Sequence, residues 1–135
     1  MENKKLILLV DQDEYTRLLV RDIFLIYGKN KFQIDLIDNP TAAEEYLKEK
    51  TPDIILIDLV FRKDGGVSAE IGLDFLKKLK TNPQLQNTKI VVFSGYADLK
   101  DEALKIGADD FIIKGEHLPV ELYNYIITIA KSNSK

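Results

Sequence analysis

The stretch Pro52 to Leu59, PDIILIDL, constrains the fold most: Ile54, Ile55, Leu56 and Ile57 follow one another without a polar interruption and deliver one carboxylate, Asp58. A half-buried strand would alternate apolar and polar residues. An unbroken, β-branched-rich run bounded by a Pro-Asp turn signal predicts a strand covered on both faces, as in a parallel sheet. Open α/β sheets bind ligands in the crevice outside the carboxyl ends of their strands, which makes Asp58 a candidate site residue. The competing use of Asp58 is local, a loop-starting Asp that satisfies nearby backbone amides.

The rest of the chain repeats the pattern. Lys5 to Val10 is a second apolar run that stops at a carboxylate, Asp11, with Asp13 and Glu14 close behind. From Tyr15, Leu18, Leu19, Ile23, Phe24 and Ile26 take helical spacing against Arg17, Arg21 and Asp22, and Gly28 supplies the stop. Phe32 to Ile37 reads as a strand closed by Asp38, Asn39 and Pro40. A helix from about Thr41 to Lys48 follows, with Ala42, Ala43, Tyr46 and Leu47 as its candidate buried side. Beyond Asp58, Val60 to Gly72 carries the turn signal Asp64-Gly65-Gly66 and is long for a βα connection, which usually spans about 2 to 6 residues. Leu73 to Lys80 is amphipathic, with Phe75, Leu76 and Leu79 as its apolar stripe, and Asn82 and Pro83 end it. Lys89 to Phe93 is a further strand that delivers Ser94 and Gly95. Asp98 is placed to cap a helix running through Ala103 and Leu104 to Gly107. Asp110 to Ile113 is a short strand, shaped by Asp109 and Asp110, that ends at Lys114. A last helix from about Pro119 to Lys131 carries Leu122, Ile126 and Ile129, and the polar tail Ser132 to Lys135 is expected to fray. Tyr123, Tyr125 and Ile127 exceed one narrow stripe on that helix, as do apolar residues of the first helix, so part of either surface is a candidate partner face.

Five strands alternating with five helices in 135 residues predict one domain, 1-135, with its core at about 4-131. The class is α/β, a flavodoxin-like doubly wound (βα)5 fold: a five-stranded parallel sheet of order 2-1-3-4-5 with helices on both faces. That order makes the first and third strands neighbours, so Asp11 and Asp58 face each other across one crevice. A net charge of -3 and a pI near 5.2 supply no basic footprint for nucleic acid or an anionic membrane. With no cysteine, disulfides and thiolate metal sites are excluded, and the single His117 cannot build a histidine cluster and reads as a solvent-exposed side chain. The apolar run in MENKKLILLV is too short for a signal peptide or a spanning helix, so a cytoplasmic location is expected.

Carboxylates at one edge raise each other's pKa unless a cation sits between them. Oxygen ligands of this kind suit Mg²⁺, which commonly uses one or two carboxylates plus phosphate oxygens. A metal-assisted carboxylate nucleophile that accepts a phosphoryl group follows from the arrangement. Ser94 and Lys114, at the ends of the fourth and fifth strands, are then placed to contact phosphoryl oxygens. Their local alternatives are a cap for Ser94, and a surface lysine or structural partner of Asp11 for Lys114.

Over essentially its whole length the chain resembles the receiver domain of two-component response regulators, through LLVDQDEYTR, PDIILIDL, KIVVFSGYAD and GADDFIIK. The resemblance implies that Asp58 is a phosphoacceptor served by a histidine kinase or histidine phosphotransfer protein. It implies that Asp11, Asp58 and the Val60 backbone carbonyl hold Mg²⁺, and that Ser94 and Lys114 read the phosphorylated state. Phe111 falls where the family has its rotating aromatic switch, although its ring also fits a plain core position. With no output domain after the fifth helix, the expected effect is through an unidentified downstream protein target, onward phosphotransfer or homodimerisation.

Three departures stand out. The family's acidic pair falls on Asp11 and Gln12, so an amide replaces a direct metal ligand and weakened Mg²⁺ binding is predicted. The segment after Asp58 is long and has Arg62 where proline is common, which predicts altered access to the site; Arg62 and Lys63 read as a solvated basic pair. Gly115 stands where the family has proline after the lysine, which disfavours a cis bond there. Two alternative functions stay open. One is a degenerate receiver acting as a phosphorylation-independent interaction module, with Gln12 spoiling the metal site. The other is a phosphohydrolase, because LILLVDQD also looks like the nucleophile motif of the haloacid dehalogenase superfamily, with Asp11 as nucleophile and Asp13 as acid. In the leading reading the chain is not an enzyme beyond self-catalysed phosphotransfer and autodephosphorylation.

Overall fold

The computed structural model describes residues 4–131; Ser132 to Lys135 lie outside the described residues. The strands are β1 Lys5–Val10, β2 Phe32–Ile37, β3 Ile54–Ile57, β4 Phe61–Lys63, β5 Gly66–Ser68, β6 Lys89–Ser94 and β7 Asp110–Ile113. The helices are α1 Glu14–Tyr27, α2 Pro40–Leu47, α3 Ala69–Lys80, α4 Lys100–Ile106 and α5 Pro119–Lys131, with short 3-10 turns at Pro83–Leu85 and Ala97–Leu99. The main sheet is wholly parallel with order β2-β1-β3-β6-β7, the doubly wound order expected with the two short strands set aside.

The apolar run of β3 is continuous because both of its faces are covered. Ile54, Ile55, Leu56 and Ile57 are all fully buried, at about 1.5–3 kcal/mol for each side chain. Alternate residues serve opposite layers. Leu8, Val10, Ile55, Ile57 and Val92 pack with Ala43, Leu47, Phe75, Leu76, Leu79 and Ala103 of α2, α3 and α4. Ile7, Leu9, Ile54, Leu56 and Val91 pack with Val20, Ile23, Phe24, Leu122, Tyr123 and Ile126 of α1 and α5. With both faces occupied, polar groups along the central strands are displaced to their ends. That displacement places the site.

Several sequence expectations need correction. The segment after Asp58 is not a loop: β4 and β5 form an antiparallel hairpin turned at Asp64 and Gly65, where Gly65 takes a φ of 79°. α3 begins at Ala69 rather than Leu73, capped by Ser68 Oγ, which accepts from Glu70 N at 3.2 Å. Gly72 therefore lies inside the helix, where a Cβ would stand 2.0 Å from the Leu59 carbonyl oxygen, so the first turn of α3 can rest directly on the backbone that follows Asp58. Asp98 sits within the 3-10 turn and does not cap α4, whose N-cap is Leu99. Ala42 is exposed, leaving Ala43 and Leu47 as the buried residues of α2. Tyr123 is no surplus surface residue, because it closes an aromatic cluster with Phe24, Tyr27 and Phe32 at centroid distances of 5.3, 5.8 and 6.1 Å. His117 is half-buried against Tyr125, edge to face at 5.5 Å.

Candidate functional site

The sheet itself carries the candidate residues together. Its ladder continues one step past the strand ends: Asp11 N donates to Ile37 O and Asp58 N to Val10 O, each at 3.0 Å, while Lys114 N donates to Ser94 O at 2.9 Å. Val10 is level with Ile57, so the two carboxylates leave adjacent strands side by side. Both are buried, Asp11 at 0% exposure and Asp58 at 7%. Lys114 Nζ lies between them, 2.8 Å from Asp11 Oδ2 and 3.0 Å from Asp58 Oδ2, and its approach passes Phe93, whose ring centroid is 5.8 Å away.

Each carboxylate is also held through its other oxygen. Asp11 Oδ1 accepts from Asp13 N at 2.9 Å, and Asp58 Oδ1 accepts from Leu59 N at 2.7 Å with a longer contact from Val60 N at 3.4 Å. Asp58 therefore does serve neighbouring amides, but only with Oδ1. Asp11 Oδ2 makes no well-directed hydrogen bond, so its contact with the ammonium is an ion pair rather than an aligned donor–acceptor bond. Burial pushes the Asp11 carboxyl above its ordinary value, against the opposing pull of Lys114. For Lys114, burial acts downward, but the close contact with the Asp11 carboxylate and the charge and hydrogen bond of Asp58 outweigh it and hold the ammonium above the usual lysine value. The result is a buried acid–cation–acid cluster with one net negative charge.

A cleft of about 400 Å³ opens beside it, lined by Gln12, Asp13, Glu14, Asp58, Val60, Arg62, Val67 and Tyr96. Ser94 is fully buried at the end of β6, and its Oγ accepts from Tyr96 N at 3.1 Å, a local turn bond rather than a cap, since the N-cap of the 3-10 turn is Tyr96 itself. Phe111 is buried at 5% exposure in the layer of α2, α3 and α4, in the position of a core ring. Gly115 has a φ of 87°, a value closed to proline, and no peptide among the described residues is cis. Asp13 is engaged as the N-cap of α1: its Oδ2 accepts from Thr16 N at 3.1 Å and from Thr16 Oγ1 at 2.7 Å. The Thr16 hydroxyl in particular holds its carboxyl below the usual range.

Gln12 does not stand as a free ligand. Its Oε1 accepts from the Arg62 amide of β4 at 2.6 Å. The donor set suited to a hard cation is then two carboxylates, Asp11 and Asp58, with Val60 lining the cleft beside Asp58; no group of three or more His, Cys, Asp or Glu side chains able to hold a metal occurs among the described residues. One or two carboxylates completed by phosphate and water oxygens are an ordinary Mg²⁺ environment. The cluster also already accommodates positive charge, in the ammonium between its acids. The residues fit a hydrated divalent ion, held through fewer protein charges than an acidic pair would give.

Sequence reasoning missed two contributors. Arg17 Nη1 donates to the carbonyls of Asp11 and Gln12 at 2.8 and 2.9 Å, pinning the loop that carries both. Tyr96 and Val67 wall the cleft from outside. The position of Arg17 one turn into α1 was the available signal for the first; the second depends on the hairpin and had none.

Residues 7–126 match the family described as the response regulator receiver domain. The chain is 32% identical over 114 residues to chemotaxis protein CheY of Thermotoga maritima, spanning 82% of this chain and 85% of that protein. It is 28% identical over 109 residues to chemotaxis protein CheY of Bacillus subtilis, spanning 80% and 83%. The crystal structure of a response regulator from Thermotoga maritima superposes with a TM-score of 0.78 at 23% identity, over 96% of this chain and all of that one.

Proposed function

The chain belongs to the response regulator receiver domain family of two-component signalling, and from that premise we propose that Asp58 accepts a phosphoryl group from a phosphohistidine of a histidine kinase or histidine phosphotransfer protein. The observation that carries this is Lys114 Nζ held between Asp11 and Asp58 at 2.8 and 3.0 Å, at the open end of the sheet. An Asp58 oxygen forms the new O–P bond as the N–P bond to imidazole breaks, and the imidazole leaves with a proton. Asp58 Oδ1 is fixed by the Leu59 amide, which presets the plane of the attacking carboxylate. Lys114 offsets one of the two negative charges before transfer and supplies a donor to the phosphoryl oxygens after it. Ser94, released from Tyr96 N, offers its hydroxyl from the neighbouring strand end, and Phe111 lies on the strand that ends at Lys114, able to repack when Ser94 and Lys114 move. Asp11, Asp58 and the Val60 carbonyl would hold Mg²⁺, which when bound adds positive charge beside the phosphoryl oxygens.

The test is intact-protein mass after incubation with acetyl phosphate and Mg²⁺, comparing the native chain with Asp58→Asn. A single phosphoryl adduct lost in the variant is expected. No adduct on the native chain at high Mg²⁺ would overturn the reading and favour a phosphorylation-independent interaction module. The observation behind that second reading is the diversion of Gln12 Oε1 to Arg62 N.

No described helix is long and apolar enough to cross a membrane. Signalling would run through protein contacts at surfaces that include the exposed Tyr15, Leu18 and Leu25 of α1.

A further inference from the structure

The inserted hairpin is tied to the site by a bond that phosphoryl transfer does not require. In the β4–β5 pair Phe61 stands opposite Ser68, Arg62 opposite Val67 and Lys63 opposite Gly66. Hydrogen-bonded and non-hydrogen-bonded pairs alternate along such a ladder. With Lys63 and Gly66 closing the turn, Arg62 falls on a non-bonded pair and its N–H turns away from β5. That amide donates to Gln12 Oε1 at 2.6 Å, from a residue 50 positions away in sequence. Both ends of the bond are anchored. Arg17 pins the Gln12 backbone at 2.9 Å, and Phe61 buries the hairpin base in the core at 3% exposure. Beyond Phe61 the hairpin is exposed, and Arg62 and Val67 line the cleft together with Asp13, Glu14 and Asp58. The Gln12 bond joins the exposed part of the hairpin to the loop that follows Asp11.

We propose that Gln12 is a positioning residue whose side-chain carbonyl latches the β4–β5 hairpin as a wall of the phosphoacceptor cleft, limiting the size of the phosphoryl donor that reaches Asp58. While the hairpin is latched, Gln12 Oε1 is occupied by the Arg62 amide, so Mg²⁺ held by the carboxylates should leave the bond in place. This inference rests on the reading of Asp58 as acceptor. A glutamine suits the task because its side chain offers a neutral acceptor at the length needed to reach the β4 backbone, and it leaves the Asp13 and Glu14 rim without a further like charge.

The test uses the full chain, isotopically labelled, as native protein, Gln12→Ala and Gln12→Glu. Amide exchange at Arg62 is measured with and without Mg²⁺, and phosphorylation rates are compared for acetyl phosphate and a phosphohistidine-containing decapeptide. Gln12→Ala should speed Arg62 exchange roughly fivefold, the equivalent of about 1 kcal/mol for one hydrogen bond. It should also raise the peptide rate relative to the acetyl phosphate rate. Gln12→Glu, which keeps an acceptor of the same length, should restore Arg62 protection and the native donor ratio. Equal Arg62 exchange in all three proteins, loss of protection on adding Mg²⁺, or an unchanged donor ratio in Gln12→Ala would each overturn the proposal. Amide exchange needs no phosphorylation, so failure of the latch is distinguishable from failure of Asp58 as acceptor.

Discussion

Replacing Lys114 by methionine removes the ammonium that lies between two buried acids while keeping most of the side chain's apolar volume. In the native chain Asp11 has no exposure, Asp58 has 7%, and the Lys114 side chain keeps 23%. Breaking a buried ion pair from one side costs about 3–5 kcal/mol, because the remaining charge is left uncompensated. The residual exposure of Lys114 places the expected loss near the lower end, about 3 kcal/mol at pH 7. For a chain of this size that lowers Tm by roughly 10 °C. The loss should shrink in acid, and the sign follows from Asp11. Its carboxyl is raised by burial even with Lys114 present, and without the ammonium's opposing pull it rises further. The folded variant then binds a proton that its unfolded chain, with an ordinary Asp, releases. Between the unfolded value near 3.8 and the raised folded value, stability therefore increases as pH falls. Urea unfolding at pH 7 and pH 5 checks this, together with Asp11→Asn/Lys114→Met, in which the buried charge is gone and part of the loss should return. A Lys114→Met deficit that is the same at both pH values, with no recovery in the double variant, would refute the electrostatic account and leave only lost packing.

Other perturbations follow from local contacts. Gly72→Ala gains about 1 kcal/mol in helix propensity, but its Cβ would meet the Leu59 backbone at 2.0 Å; a net destabilisation of about 2 kcal/mol is expected in thermal unfolding. Asp13→Ala removes the cap of α1 and should cost about 1 kcal/mol at neutral pH. Because Asp13 is lowered by Thr16, its contribution is present above the unfolded value of 3.8 and lost as pH falls through the folded value, so the variant and native curves should converge in strong acid. Thr88→Val leaves the buried Pro52 carbonyl without the hydroxyl that donates to it at 2.7 Å, and denaturant unfolding should show a loss of about 1–2 kcal/mol.

The legible part of this chain is the part where one physical rule dominates. Strands covered on both faces must be apolar throughout, so their polar residues collect at the ends, and Asp11, Asp58, Ser94 and Lys114 were all found at strand ends from the sequence. Doubly wound order then made Asp11 and Asp58 neighbours, which the ladder bears out at Val10 and Ile57. The hairpin was not legible, because strands of three residues with mostly exposed side chains carry no hydrophobic period; in FRKDGGVS only Phe61 is buried. The role of Gln12 was hidden for a different reason: its partner is a backbone amide, which no side-chain pattern announces. Asp98 illustrates the reverse error, a residue of capping type one step too early for the helix that forms.

The position of Gln12 also fixes how the site should respond to added charge. Asp11, Asp58 and Lys114 sum to one negative charge, and Gln12 adds none. Gln12→Asp supplies a second negative charge at the rim and shortens the side chain, so that it no longer spans to the Arg62 amide. Unit charges about 4 Å apart interact by about 1 kcal/mol even at the dielectric of water, and a divalent ion doubles that. The solvent-like limit is thus about 2 kcal/mol, and stronger attraction is expected at the edge of a buried cluster. Mg²⁺ should bind Gln12→Asp at least tenfold more tightly than the native chain, with the gain shrinking as ionic strength rises. Gln12→Ala separates the two effects, since it frees the hairpin without adding charge and should leave Mg²⁺ affinity within about twofold of native. Calorimetric titration of the three proteins with MgCl₂ at two salt concentrations decides it. Equal affinity in the native chain and Gln12→Asp would mean that position 12 lies outside the reach of the cation, and an increase in Gln12→Ala as large as that in Gln12→Asp would mean that the hairpin, not the missing charge, limits binding.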